Sequence, residues 1–151
     1  MRRREQGFSL VELMVVMLIV AVLLAIAIPT FMGWRSNAQD SETRQTLVNA
    51  AKVESGINAD NAGFTDDTAV LALIEPSVDF TGATDESIHV VVADAVSGGD
   101  NGQVLVYSRS DSGTWFGLRL VSAGASAGRH TCEGSAEADV DQMADCSGVS
   151  W

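Results

Sequence analysis

From Phe8 to Ile28 the chain runs for 21 residues with a single ionisable side chain, Glu12. As a helix this stretch reaches about 31 Å at ~1.5 Å per residue, matching the ~30 Å hydrocarbon thickness of a bilayer. A carboxylate at the middle of such a span costs roughly 2.5–3.5 kcal/mol, so Glu12 is expected to serve a function and to have a partner. The plainer reading is a Glu that caps its own helix, in the first turn where an acidic side chain meets the positive end of the helix dipole. Arg2, Arg3 and Arg4 precede the run. Positive charge stays on the cytoplasmic side, so everything after Ile28 should face outward.

The run opens on Gly7-Phe8-Ser9-Leu10-Val11-Glu12 behind a short basic leader. This resembles the class III signal of type IV pilins and pseudopilins in residue type, order and position. The resemblance implies a leader of residues 1–7, removed by a prepilin peptidase between Gly7 and Phe8, with N-methylation of Phe8. It implies storage in the cytoplasmic membrane as a single-pass protein, C-terminus outside, followed by assembly into an extracellular, homo-oligomeric helical filament by the pilus machinery. It also implies that Glu12 of an incoming subunit faces the new Phe8 α-ammonium of a neighbour. The ammonium has an ordinary pKa of about 7.7–8.0, and the two charges can neutralise each other where water is scarce. An intrachain pairing competes, because Glu12 lies four residues after Phe8 on one helix face.

The pattern leaves rivals open. Within the family these are a type II secretion pseudopilin or a minor pilin. In another class stands a secreted or anchored binding domain, with Ala25-Ile26-Ala27 as an ordinary Ala-x-Ala cleavage site. Glu12 interrupts that signal's apolar core, and the run exceeds the usual ~7–15 residues. A plain membrane anchor explains the length but gives Glu12 no partner.

Residues 8–28 form the expected apolar helix half and 29–57 an amphipathic half, joined at Pro29, which should kink or loosen the helix. Leu47, Ala50, Ala51, Val53 and Ile57 share one side at 100° per residue, with Arg44, Asn49 and Lys52 mainly elsewhere. An exit loop is expected over 58–63. Residues 58–151 make the head. Thr65-Asp66-Asp67 offers N-caps for a short helix over Ala69–Ile74, stopped by Glu75-Pro76. After a polar connection over 77–87, strands are predicted at Ile88–Ala93, Gln103–Ser108 and Trp115–Val121, separated by the turn-rich segments Ser97–Gly102 and Ser110–Gly113. Short turns favour an antiparallel meander. The fold class is therefore α+β: a long N-terminal helix on an antiparallel sheet of three to four strands, as in type IV pilins.

The net charge of −11 becomes −13 once residues 1–7, with three Arg and one Glu, are removed. Such acidity argues against nucleic acid as a partner, because phosphate contacts need clustered Lys and Arg. Cys132 and Cys146 are the two cysteines, and in an exported domain one disulfide is the natural reading. It resembles the C-terminal bridge of pilins, which the major pseudopilins commonly lack. No catalytic motif appears, so an enzyme is not expected, nor a cofactor or a metal. His89 and His130 read as structural or solvent-facing. The acidic groups Asp60, Asp66, Asp67 and Asp139, Asp141, Asp145 lack complete calcium-loop spacing. At least one of Trp115 and Phe116 should face inward.

Overall fold

The computed structural model describes residues 8–61, 63–93, 102–148 and 151. The expected leader and most of the Ser97–Gly102 turn lie outside them. In chain order come helix α1 (Leu10–Asn61), helix α2 (Thr68–Ile74), and strands β1 (His89–Ala93), β2 (Gln103–Arg109), β3 (Trp115–Val121) and β4 (Gly128–Gly134). A single 3₁₀ turn, Glu137–Asp139, follows. The chain divides into two compact units, one to Ser36 and one from Asn37.

In the first unit, α1 is helical without a break through Pro29 and Gly33, where a kink was expected. Proline removes one backbone donor, but a single missing rung does not end a long helix whose other backbone bonds continue on both sides. The Thr30 hydroxyl donates to Ile26 O at 3.1 Å, adding a bond beside the gap. Every side chain from Phe8 to Arg35 is exposed.

In the second unit, α1 continues to Asn61, four residues past the predicted end at Ile57 and into the expected loop. Leu47, Ala50, Ala51 and Ile57 are buried, as their spacing predicts, against Val104, Val106, Phe116 and Leu118 of the sheet. Arg44 departs from its expected place away from this face. Its guanidinium lies 4.6 Å from the Phe116 ring centroid and pairs with Glu133 at 3.3 Å. The flat cation covers the ring while its polar edge reaches a carboxylate. Asp67 caps α2, accepting from Ala69 N–H at 3.0 Å and Val70 N–H at 3.4 Å. The connection after α2 is less polar than its sequence suggests, because Val78 and Phe80 enter the same core.

The sheet is an antiparallel meander in the order β1-β2-β3-β4. Both faces are covered. Phe116 meets α1, while its neighbour Trp115 joins Leu105, Tyr107, Val140 and Cys146 on the opposite face. β4 was not resolved as a strand in the sequence, since Gly128-Arg-His-Thr-Cys-Glu-Gly134 has no apolar alternation. Its pairing with β3 and its cysteine hold it there.

The second face is built on one cross-strand row: His89, Tyr107, Gly117, Cys132. Cys132 and Cys146 stand at disulfide distance, with Cα atoms 4.4 Å apart, as expected from the sequence. Gly117 lies directly beneath them. A Cβ there would sit 2.6 Å from Cys132 Sγ and 3.0 Å from Cys146 Sγ. Gly117→Ala should therefore destabilise the head by about 1–3 kcal/mol, the usual range for overpacking. Thermal melts, with thiol alkylation reporting the bridge, check this; an unchanged melting point would contradict it.

Candidate functional site

The first turn of α1 joins Glu12 to the backbone it follows. Leu13 N–H donates to Ser9 O at 3.2 Å, starting the helix. Glu12 Oε2 accepts the Ser9 N–H at 2.9 Å. Ser9-Leu-Val-Glu12 has the S-x-x-E spacing of a capping box, in which the Glu at N3 reaches back to the N-cap amide. The cap is the plainer reading that the sequence offered for Glu12, and the Ser9–Glu12 spacing is the signal for it. The intrachain partner of Glu12 is thus the amide of Ser9.

This cap does not exhaust the carboxylate. An ionised carboxylate offers about four lone-pair sites, so Glu12 can hold Ser9 N–H and still accept a cation from outside the chain. Phe8 is exposed beside it, whereas Gly7 lies outside the described residues. Around this one polar point, α1 is long and apolar enough to cross a membrane, with a window of mean hydropathy 3.1 that buries none of its side chains. A surface of this kind is stable only against lipid or other apolar helices.

His89, His130, Asp139 and Asp145 are occupied locally, whereas Asp141 Oδ1 is buried without a hydrogen-bond partner. His89 stacks on Tyr107 with centroids 4.7 Å apart, and its Nε2 lies 3.1 Å from Thr84 O. His130 Nε2 lies 2.8 Å from Ser126 O. Asp139 accepts from the amides of Ser135 and Ala136 at 2.9 and 3.0 Å, and Asp145 from Gln142 at 3.2 Å. Among the described residues, no three His, Cys, Asp or Glu side chains gather in a group that could hold a metal ion.

One residue escaped sequence reasoning altogether. Glu54 lies on the buried stripe of α1 and is fully buried. Its Oε2 accepts Thr65 N–H at 3.2 Å, while Oε1 has no partner. Burial pushes its pKa up to about 7; the Thr65 bond opposes this and the nearby Asp66 charge adds to it. The available signal was positional, because 54 falls three or four residues from Ala50, Ala51 and Ile57.

Residues 2–28 match the family model described as the prokaryotic N-terminal methylation motif. The chain is 31% identical to the type IV wide pilus major component PilA4 of Thermus thermophilus, over 76% of this chain and 81% of that protein. It is 26% identical to a fimbrial protein of Pseudomonas aeruginosa, over 75% and 84% of the two chains. A shorter match, 43% identical over 29% of this chain and 20% of the relative, is to the type IV major pilin protein PilA of Myxococcus xanthus. No solved structure matches the chain significantly. With the motif over the exposed apolar helix, the four-stranded head later in the sequence and a relative matched along most of both lengths, the chain belongs to the type IV pilin family.

Proposed function

We propose that this chain is a structural subunit of a type IV pilus, cut after Gly7 by a prepilin peptidase, methylated at Phe8 and polymerised through α1. The observation that carries this reading is Glu12: one carboxylate, held at the very start of a fully exposed apolar helix, beside the position where processing frees an ammonium. The subunit waits as a single-pass membrane protein and leaves lipid for a filament core of equally apolar helices, so transfer costs little hydrophobic free energy. Glu12 then meets the Phe8 ammonium of the neighbour it joins. Relatives named as pilus major components favour the pilus over a type II secretion pseudopilin or a minor pilin.

N-terminal sequencing of the mature protein tests the processing step. Phe8, N-methylated, is the expected first residue; Ile28 would mean ordinary secretion after Ala27 and would remove the filament helix. Electron microscopy of surface filaments labelled for this chain then tests polymerisation.

A further inference from the structure

Outside the apolar run, large hydrophobic side chains are exposed in two clusters among the described residues. Phe31, Met32 and Trp34 lie on α1 just past the membrane-length segment; Val70, Leu73 and Ile74 share one face of α2. Only Leu71 anchors α2 to the core, so its outer face has no internal partner. Beside that face, a groove is lined by Val53, Gly56, Ile57, Asp60, Ile74 and Glu75. Lys52 lines it too, leaving one net negative charge.

We propose that this groove and the outer face of α2 receive the Phe31–Arg35 segment of a second copy of the chain. The proposal rests on the filament reading, since it needs many copies side by side. Charge selects the occupant. The chain is strongly acidic, so close packing of copies requires cations at their contacts. Of the six basic residues after Gly7, Arg44 and Arg109 are ion-paired within the head, Arg119 donates to Met143 O and Lys52 lines the groove itself, which leaves Arg35 and Arg129. Arg35 is exposed and is the one cation between Phe8 and Thr43, set next to Trp34. An aromatic side chain with an adjacent guanidinium matches a groove that combines Val53, Ile57 and Ile74 with two carboxylates and one ammonium, and Trp and Arg are side chains that dominate such contacts. Gly56 leaves the space for it: a Cβ at that position meets nothing within 4 Å.

The test is cross-linking in filaments sheared from cells making the full-length Trp34→Cys/Ile74→Cys variant. Oxidation should give a ladder of dimers, trimers and higher species that collapses on reduction, while either single variant runs as monomer. Filaments in normal amount that yield monomer alone, or a link within one chain, would overturn the proposal. Gly56→Phe decides the matter if the cysteine variant does not assemble. It should fill the groove, lower filament yield at least tenfold and leave the melting temperature of the head unchanged; parental yield would overturn the contact. A parent strain without filaments containing this chain removes the filament reading itself, and the contact with it.

Discussion

Replacing Glu12 by alanine should leave the subunit processed and held in the membrane, yet reduce sheared filaments to background. The expected size follows from what remains behind. The Phe8 ammonium of a neighbour would enter an apolar helix bundle unpaired, and removing one partner of a buried pair costs roughly 3–5 kcal/mol. That is a factor of roughly 10² to 10⁴ at each contact, repeated at every added subunit. Alanine also removes the acceptor for Ser9 N–H, a loss worth ~1 kcal/mol for a helix cap. Glu12→Gln separates the two effects, because its amide oxygen can still accept from Ser9 while carrying no charge. Quantitative immunoblots of shed filaments, with N-terminal sequencing of the membrane fraction, read both variants. Loss of filaments with glutamine as well as alanine is expected; normal yield from Glu12→Gln would reduce Glu12 to a helix cap and sink its role in docking.

Glu12 also shows where sequence reasoning is strong. A charge in an apolar run stands out because lipid and packed helices penalise it severely, and strands with apolar alternation stand out for the same reason. Trp115–Val121 is found at its predicted bounds, and Gln103–Ser108 gains only Arg109. The amphipathic stripe Leu47–Ala50–Ala51–Ile57 is the buried one. What the sequence hides are features whose support is tertiary. β4 has no apolar pattern and is held by pairing with β3 and by its cysteine. Phe80 sits in a polar connection that folds back on the core. Pro29 reads as a kink or loosened point, yet the helix carries through it without interruption. Glu54 is the sharpest case, since its residue type says surface and its spacing says core.

That conflict at Glu54 has a measurable consequence. In the unfolded chain its carboxyl titrates near 4.5, whereas in the folded head it titrates at about 7. Between those values the folded state holds a proton that the unfolded state has lost, so stability must fall as pH rises through the window from 4.5 to about 7. Below the window both states are protonated and above it both are ionised, so this contribution is flat at each end. The direction is opposite to that of a salt-bridged carboxylate, which loses stability on acidification. At ~1.4 kcal/mol per pKa unit the full swing is about 3 kcal/mol as an upper bound. Glu54→Gln keeps an oxygen for Thr65 N–H and carries no charge at any pH, so it should cancel the swing. The variant is expected to be about 1–3 kcal/mol more stable than the parent at pH 8 and nearly equal to it at pH 4.5. Urea denaturation of both full-length proteins in one detergent, across that pH range, gives the comparison. Parallel stability profiles would show that the Glu54 carboxyl titrates alike in the folded and unfolded chains, and that water reaches a side chain the fold encloses completely.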